Sequence, residues 1–339
     1  MPTIRDVAKR AGVAPITVSR VINRGSYVSE DTRQRVEQAI ADLDYVPNAL
    51  GPSLRSKRTR TLALVLTDMT NPFWTTVARG VEDTANKHGY HMFIGNTDAS
   101  DAKQDDYLNF LLQKQVDGFL IVPLRNASPA LETFIKRNVP LVILDRRVSY
   151  EVDSVRGDSE GGAYTLTKHL LELGHQHIAI ISGAQDVSTA SDRVLGYRRG
   201  LEEAGLGDAQ QVYWGEFDQD TGYELGKQAL SATPRPTAIF AGNNFICIGV
   251  MRALREAGLR VPEDMSIVAF DDLPLAMTID PFFTVMAQPA YEMGCKATEL
   301  LLSRLSGEAA PGYQEIVFPT ELIVRRSTAR PPAIVRETP

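Results

Sequence analysis

The sequence predicts an all-α helix-turn-helix head followed by a larger parallel α/β core, and three observations favour this fold class. Short helical patterns with capping residues fill the first 46 residues. Beyond residue 60, short apolar runs alternate with helix-like segments, which is the rhythm of βαβ units. Residues 1–60 hold 11 Lys and Arg against 6 Asp and Glu, whereas the remaining chain holds 25 against 36. A basic head on an acidic body indicates a polyanionic partner that binds at one end.

Length and composition exclude several classes of protein. The 339 residues are enough for two or three domains, and 43% hydrophobic with 23% charged residues is ordinary for a globular chain. No apolar run approaches the roughly 18–20 residues of a membrane span, and the first residues lack the pattern of a secretory signal. We therefore expect a cytoplasmic protein with no membrane partner. Cys247 and Cys295 are too few for a disulfide framework or a four-thiolate zinc site.

Capping and breaking residues predict three helices in the head. Thr3 with Asp6 three residues later is a capping-box pattern, and Gly12 ends the first helix. Pro15 suits the first turn of a second helix, and a third helix begins at Ser29. Two short helices joined by a Gly-containing turn and followed by a supporting helix form the helix-turn-helix pattern.

The second helix has an apolar stripe of Val18, Val21 and Ile22, which leaves its other side chains to face outward. Arg donates two hydrogen bonds to guanine, Ile contacts the methyl group of thymine, and Thr, Ser or Asn bind phosphates. The outward-facing set is suited to a DNA groove and comprises Ile16, Thr17, Ser19, Arg20 and Asn23. A small helical protein-interaction domain with a solvated Arg face is the alternative.

The segment TIRDVAKRAGVAPITVSRVIN at residues 3–23, with YVPNA at residues 45–49, closely resembles the N-terminus of the LacI/GalR family of bacterial transcription regulators. The likeness continues to about residue 327. It implies a sequence-specific regulator, most often a repressor, that binds palindromic operator DNA as a homodimer. In that family the positions matching Pro15, Ile16 and Arg20 contact bases, and proline has no side-chain donor. The DNA-binding candidates are then Thr3, Pro15, Ile16, Thr17, Ser19, Arg20, Asn23 and Leu54.

Residues 47–60 form the linker, for which the resemblance implies a hinge helix that folds on DNA, pairs across the dimer and inserts Leu54 into the minor groove. Gly51 and Pro52 depart from the family pattern. Inside a helix, proline costs about 3 kcal/mol and glycine about 1 kcal/mol relative to alanine, whereas proline at the first position costs little. We expect a shortened or weaker hinge helix, with a flexible basic tether as the alternative.

The apolar runs of the core predict nine strands, at residues 61–67, 91–95, 118–122, 140–144, 177–182, 211–214, 237–241, 266–270 and 284–287. Parallel sheets bind ligands at the carboxyl ends of their strands, so the residues that follow each run are the candidate site. These are Asn71, Phe73, Trp74, Asp145, Arg146, Arg193, Phe217, Asn243, Asp271 and Gln288. Aromatic rings stack on the C–H faces of a sugar, while planar polar groups bond its adjacent hydroxyls. Carboxylates and arginines without a metal cluster favour a neutral polyol over a phosphate, and no cofactor is expected.

Each of these residues also has a simpler structural interpretation. Asp145 and Arg146 suit a surface ion pair, Phe73 and Trp74 suit core packing, and Asn243 suits a turn. Their joint placement at strand ends is what favours a binding site.

The ten positions also match, in order, the residue types of ribose-binding proteins, whose two-lobed periplasmic fold the core resembles. Trp74 replaces a usual Phe, and Asn244 replaces a common Asp. A small, ribose-like monosaccharide is therefore the expected effector. A purine or a phosphorylated sugar is the alternative, and Val187 stands where a purine-binding relative carries Arg. An enzyme is disfavoured because no nucleophile–base pair follows a predicted strand. A periplasmic transport receptor is also disfavoured, because such a receptor has no basic head.

The expected domains are a head at residues 1–46, a linker at 47–60, a core at 61–330 and a tail at 331–339. The resemblance divides the core into one lobe at 61–160 plus 290–320 and a second at 161–289 plus 321–330. The chain then crosses between the lobes near 158–162, 288–292 and 319–322, which makes a hinge that closes on ligand. We expect closure of the lobes to change the spacing of the two heads in a dimer and so to change operator affinity. The proline-containing tail lacks heptads, which predicts a dimer without a C-terminal coiled coil.

Overall fold

The computed structural model describes residues 2–23, 28–46, 58–126, 129–273 and 280–332. The chain divides into two compact units, Met1–Thr59 and Arg60–Pro339. The first unit is helical and the second combines helices with two sheets, so the predicted fold class is confirmed. The expectations for Gly51, Pro52 and Leu54, and for residues 333–339 of the tail, lie outside the described residues.

The described part of the first unit contains the three predicted helices, α1 (Ile4–Ala11), α2 (Pro15–Ile22) and α3 (Glu30–Asp42). The amide and the hydroxyl of Thr3 donate to the Asp6 carboxylate, at 2.8 and 2.7 Å, and so fix the start of α1. Gly12 ends that helix in the left-handed conformation, with φ of +65°. Ser29 caps α3, since its hydroxyl oxygen accepts from an amide of the first turn.

The core of this unit is made of small apolar side chains from all three helices. Val7, Val18 and Val36, one from each helix, are fully buried. Because α1 and α2 are only eight residues long, neither is stable in isolation, and their mutual packing supplies most of their stability.

The second unit consists of two lobes, each built on a six-stranded sheet. The chain first forms β1 (Thr61–Leu66), α4 (Pro72–Lys87), β2 (His91–Asn96), α5 (Asp101–Gln113), β3 (Gly118–Ile121), α6 (Pro129–Lys136), β4 (Leu141–Leu144) and β5 (Ser154–Gly157). It continues with α7 (Ser159–Glu172), β6 (Ile178–Ser182), α8 (Ser188–Glu203), β7 (Gln211–Trp214), α9 (Gln219–Leu230), β8 (Ala238–Ala241), α10 (Asn244–Glu256), β9 (Ser266–Phe270) and β10 (Thr284–Ala287). The last elements are α11 (Ala290–Ser306), β11 (Glu315–Phe318) and β12 (Glu321–Ile323).

The two sheets have equivalent strand orders. The sheet of lobe 1 runs β11-β5-β4-β3-β1-β2, and the sheet of lobe 2 runs β12-β10-β9-β8-β6-β7. Among the described strands, β12 alone pairs in the antiparallel sense, against β10. The chain passes between the lobes after β5, after β10, and between β11 and β12. Strands β4 and β9 therefore occupy the same place in the two lobes.

The nine predicted strands are present to within a residue, whereas β5, β11 and β12 were not predicted. The central strands are buried on both faces and therefore appear in the sequence as continuous apolar runs, the pattern from which the strands were predicted. Strand β5 has one buried apolar side chain, Val155, and β11 alternates exposed with half-buried residues. These short strands carry no such run and are held by pairing within the sheet.

Candidate functional sites in the head and between the lobes

Helix α2 presents a polar face outside the core of the head. Val18 and Val21 are buried and Ile22 is half-buried, as the predicted stripe requires. Arg20 is exposed, and 53% of Ile16 is exposed. Within the described residues the Arg20 guanidinium takes part in no ion pair, so its donors are available to an external acceptor.

The other DNA-binding candidates in the described head lie near the ends of α1 and α2. Pro15 is exposed, while Thr17 and Ser19 are half-buried. The Asn23 side-chain amide donates to the Ser19 carbonyl oxygen at 2.8 Å and to its hydroxyl at 3.2 Å, so Asn23 also caps the end of α2. The Thr3 hydroxyl donates to a carboxylate of α1 and must rotate before it can donate to a phosphate.

A cavity of about 690 Å³ lies between the two lobes. Its walls come from the carboxyl ends of strands in both sheets and from the helices that follow them. Nine of the ten effector candidates line it, namely Asn71, Phe73, Trp74, Asp145, Arg146, Arg193, Phe217, Asn243 and Asp271. Gln288 does not line the cavity, but its side-chain amide donates to the Asp271 carboxylate at 2.7 Å and so orients that wall residue.

Two aspartates occupy equivalent positions on opposite sides of the cavity. Asp145 follows β4 and Asp271 follows β9, with φ of +64° and +65°. Their amides donate to Val155 and Met286 on the neighbouring strands, at 2.8 and 2.9 Å. A left-handed backbone is uncommon for residues other than glycine, and such strain concentrates at functional sites. The same local geometry thus brings one carboxylate from each lobe to the cavity.

Burial sets the electrostatics of these carboxyl groups. It raises the pKa of Asp271 to about 6, against the opposing effects of the Arg193 charge and the Gln288 hydrogen bond. Burial also raises the pKa of Asp145, against the charges of Arg193 and Arg146. The pKa of Arg146 falls to about 10 because its guanidinium is buried. A bound group that supplies hydrogen bonds to these ions would offset part of their desolvation.

The two buried guanidinium groups are held by backbone carbonyls. Arg146 Nη1 donates to Pro123 at 2.8 Å, and Arg193 Nη1 donates to Gly242 at 2.6 Å. Arg193 also stacks on Phe270, with its guanidinium carbon 3.9 Å from the ring centroid. The Nε atoms of both arginines and Oδ1 of Asp145 are buried without a hydrogen-bond partner among the described residues. Unpaired buried polar atoms are rare, and their occurrence in cavity-lining residues is typical of a ligand site.

The aromatic candidates begin helix α4. Asn71 Oδ1 accepts from the Phe73 amide at 3.0 Å and caps the helix, which places Phe73 and Trp74 in its first turn. Their ring centroids are 4.8 Å apart, in an edge-to-face arrangement. Both rings belong to the apolar cluster of lobe 1 and also line the cavity, so the core interpretation and the site interpretation both hold.

Two other simple interpretations have different outcomes. A surface ion pair of Asp145 and Arg146 is wrong, because their exposed fractions are only 6% and 9%. Asn243 does cap a helix, since its Oδ1 accepts from the Ile246 amide at 2.8 Å. Its side-chain amide donates to the Phe217 carbonyl oxygen at 3.2 Å. Much of the hydrogen-bonding capacity of Asn243 is therefore used inside lobe 2.

The sequence reasoning missed several residues of the cavity wall. Arg125 and Thr189 line it, as do four further carboxylate residues, Asp68, Asp98, Glu216 and Asp218. Asp68, Asp98 and Glu216 each follow a strand by two residues, so the strand-end rule could have found them. With Asp145 and Asp271, six carboxylate residues and three arginines surround the cavity.

Two other kinds of feature are absent from the described ranges. No helix within the described ranges is long and apolar enough to cross a membrane. Across the same ranges, no group of three or more His, Cys, Asp or Glu side chains is placed to hold a metal ion.

A small helical unit with an exposed polar recognition helix, joined to a two-lobed unit with a ligand-sized cleft, defines a class of ligand-responsive DNA-binding regulators. Residues 3–48 match the model of the bacterial regulatory proteins of the lacI family, and residues 167–328 match the periplasmic binding protein-like domain. The chain belongs to the lacI family, as predicted. It is a DNA-binding transcriptional repressor rather than an enzyme.

The chain is similar to named repressors over nearly its whole length. It is 37% identical to the HTH-type transcriptional repressor PurR of Vibrio atlanticus over 335 residues, which are 97% of this chain and 99% of that protein. It is also 37% identical to the ribose operon repressor of Halalkalibacterium halodurans over 328 residues, 97% of each chain.

Solved structures show the same architecture. The lac repressor dimer bound to operator and the anti-inducer ONPF superposes with a TM-score of 0.84 at 29% identity, covering 97% of this chain and 99% of that chain. A LacI family regulator from Enterococcus faecium with bound ribose has a TM-score of 0.71 at 31% identity, covering 80% and 99%. Repressors of this family bind operator DNA and small-molecule effectors.

Proposed function

We propose that this repressor responds to a small neutral monosaccharide of the ribose type, which binds in the cleft between the lobes. The observation that carries this proposal is the joint placement of buried Asp145, Asp271, Arg146 and Arg193 around one cavity that also has aromatic walls. Sugar hydroxyls donate to carboxylates and accept from guanidinium groups, while the C–H face stacks on a ring. The similar ribose operon repressor and the ribose-bound structure support the same class of effector.

Charge favours a neutral effector over a phosphorylated sugar. The wall holds six carboxylate residues against three arginines. Arg125 is already paired with Asp186 at 2.8 Å, and Arg193 lies 3.8 Å from the Asp271 carboxylate. A phosphate dianion would therefore meet a surplus of negative charge at short range, which disfavours its binding.

A purine is the second candidate, because the chain is as similar to PurR repressors as to a ribose operon repressor. The rings of Phe73, Trp74 and Phe217 offer apolar surface to a planar base. Val187 disfavours it, since this apolar side chain lines the cavity where a purine-binding relative would present Arg.

On the DNA side, we propose that Ile16 and Arg20 contact base edges of a palindromic operator and that two copies of the chain bind it. The lac repressor structure is a dimer on its operator. Apolar surface for a second copy is present in lobe 1, where Phe93 and Ile94 of β2 are 55% and 42% exposed and Met69 is 45% exposed. Because operator DNA lies in the bacterial cytoplasm, the repressor acts there.

Effector binding would then control the heads through the lobes. The cleft is lined by both lobes, and the chain passes between them three times. An effector that contacts both walls stabilises the closed arrangement, and the coupling to operator affinity is reciprocal.

Thermal melting of the full chain against D-ribose, other pentoses, hexoses, sugar phosphates and purines tests the effector class. A ligand at about 100 times its dissociation constant adds about 2.7 kcal/mol to the stability of the folded state, which shifts the melting midpoint clearly. We expect a shift with D-ribose or a close relative. A shift with purines or phosphates alone would overturn the proposed effector and leave the repressor function intact.

A further inference from the structure

Two asparagine side chains bridge the lobes beside the cavity. The Asn71 side-chain amide donates to Asn244 Oδ1, and the Asn244 amide donates to Asn71 Oδ1, each at 3.0 Å. Asn71 caps α4 in lobe 1, and Asn244 is the first residue of α10 in lobe 2. They are 6% and 2% exposed. The Asn71–Asn244 pair is therefore an uncharged, two-point contact between the lobes that is shielded from water.

The orientation of the pair is fixed by the helix cap. Asn71 Oδ1 also accepts from the Phe73 amide at 3.0 Å, so its oxygen must face the start of α4. With Asn71 held in this way, only one orientation of Asn244 forms both bonds. Separating two buried amides leaves their donors and acceptors unpaired, which costs stability unless water replaces the bonds. The Asn71–Asn244 pair therefore opposes separation of the lobes at this point.

Polar contacts between the lobes are also made at two places that involve arginine side chains. Arg125 pairs with Asp186 at 2.8 Å, with 33% and 61% of these side chains exposed. Arg147 pairs with Asp192, whose side chain is only 8% exposed, and the Arg147 amide donates to the buried Ser188 hydroxyl at 2.8 Å. The exposed Arg125–Asp186 pair is weak and is screened by salt, whereas the buried amide pair is not.

We propose that Asn244 is a positioning residue of the effector cleft, which acts through Asn71. It holds the Asn71 amide in place and keeps the lobe 1 wall of the cavity opposite the lobe 2 wall. An aspartate at position 244 would accept from Asn71 but could not donate to its oxygen when ionised. It would also add a negative charge beside a wall that already has six carboxylate residues. The contact does not depend on which effector binds, but its consequence for binding rests on the proposed function.

Trp74 provides a readout that needs no effector. It lies three residues after Asn71, is 6% exposed, and is one of only two tryptophans in the chain. In a full-length Trp214→Phe background, acrylamide quenching of fluorescence therefore reports the access of solvent to Trp74. Measurement at about 1 M salt, where the Debye length is about 3 Å, weakens the exposed Arg125–Asp186 ion pair and leaves the amide pair in place.

The test compares Asn244→Asp, Asn244→Ala and the control Asn109→Asp, which adds the same charge to an exposed position on α5. We expect the quenching constant to rise about twofold or more in both Asn244 variants at pH 7.5 and to stay unchanged in the control. Unchanged quenching in the Asn244 variants would overturn the proposal. An acidic residue in the first turn suits the helix dipole of α10, so Asn244→Asp is expected to fold, as checked by circular dichroism.

A pH comparison separates hydrogen bonding from a general loss of packing. Near pH 4 a protonated carboxyl at position 244 can donate again, so quenching of Asn244→Asp should return toward the parent value, whereas Asn244→Ala should not recover. The parent measured at each pH accounts for the other charged groups around the cavity, which are Asp68, Asp98, Arg125, Asp145, Arg146, Arg193, Glu216, Asp218 and Asp271. Equal quenching of the two variants at both pH values would contradict the hydrogen-bond role.

Calorimetric titration with D-ribose completes the experiment. If the parent binds D-ribose, Asn244→Asp should bind it about tenfold more weakly at pH 7.5, while Asn109→Asp should match the parent. Undiminished binding by Asn244→Asp would overturn the positioning role. If the parent does not bind D-ribose, the proposed effector is wrong, and the quenching experiment still decides the role of Asn244.

Discussion

Asp145 and Asp271 are the residues on which the chemistry of the cleft depends most. Each comes from the end of an equivalent strand, each has a left-handed backbone, and each is buried beside an arginine. Burial raises the pKa of both carboxyl groups, with Arg193 opposing the rise in each case. Ionisation of either carboxyl group therefore costs stability in the folded protein, which is the pattern expected of groups retained for binding.

Asp271→Asn removes the carboxylate and keeps both the shape and a residue type that tolerates a left-handed backbone. The folded-state pKa of about 6 lies above the ordinary value of 3.8, so ionisation destabilises the fold as pH rises from about 4 through 6. A difference of about two pKa units corresponds to about 3 kcal/mol. We expect the variant, measured by urea unfolding, to gain stability over the parent at pH 7.5 and to match it near pH 4.

The same variant should bind D-ribose at least about tenfold more weakly, because a charged acceptor of a hydroxyl is lost. The exposed Asp106→Asn on α5 is the matched control and should change neither stability nor binding. A stability difference for Asp271→Asn that does not vary with pH would contradict the account of Asp271.

Arg20→Ala tests the recognition face of α2. A bidentate contact to guanine contributes about 1–3 kcal/mol of discrimination, so specific operator affinity should fall about 10- to 100-fold while D-ribose affinity is kept. Arg10→Ala is the control, since Arg10 is paired with Asp42 at 2.8 Å. Fluorescence anisotropy with operator and scrambled duplexes measures the discrimination, and an unchanged ratio for Arg20→Ala would remove Arg20 from the base-contacting set.

At the residue scale, the strand-end rule could identify candidates for the cavity wall because a parallel sheet brings the carboxyl ends of its strands together. The same rule does not distinguish a residue on the wall from one behind it, such as Gln288. The left-handed backbone of Asp145 and Asp271 and the pairing of Asn71 with Asn244 depend on contacts distant in sequence. Single-sequence patterns carry no record of such contacts.

At the scale of elements, close helix pairing through glycines organises both lobes. A Cβ at Gly80 of α4 would lie 2.1 Å from the Tyr291 carbonyl oxygen of α11, and one at Gly222 of α9 would lie 2.2 Å from that of Ile246 in α10. The helices therefore pack backbone to backbone at these points. Apolar periodicity predicted the helices but not this close approach, because a glycine in a helical pattern is compatible with many neighbours.

Gly222→Ala and Gly226→Ala compare two positions one turn apart in α9. At Gly226 the nearest atom to a Cβ is a side-chain carbon at 3.3 Å, whereas at Gly222 it is backbone. Overpacking against backbone should make Gly222→Ala less stable by about 1–3 kcal/mol. The higher helix propensity of alanine should leave Gly226→Ala within about 1 kcal/mol of the parent. Chemical unfolding measures both, and equal stabilities would contradict the backbone packing.

At the scale of the whole molecule, the chain joins an operator-binding head to a two-lobed core with a polar cleft. The basic composition of residues 1–60 and the acidic composition of the rest predicted this division of roles. Overall similarity does not distinguish a ribose effector from a purine effector, because the chain is 37% identical both to a PurR repressor and to a ribose operon repressor. It depends on a few wall residues, such as Trp74 and Val187, rather than on the fold.

The most direct test of the central claim is release of operator DNA by the effector. A palindromic duplex selected from random DNA by the full-length chain is labelled, and its anisotropy is followed during titration with D-ribose, ribose 5-phosphate and hypoxanthine. The account predicts that saturating D-ribose lowers operator affinity, while the other two compounds leave it unchanged. Operator binding that is indifferent to D-ribose and responds to hypoxanthine or ribose 5-phosphate would contradict a repressor controlled by a neutral sugar.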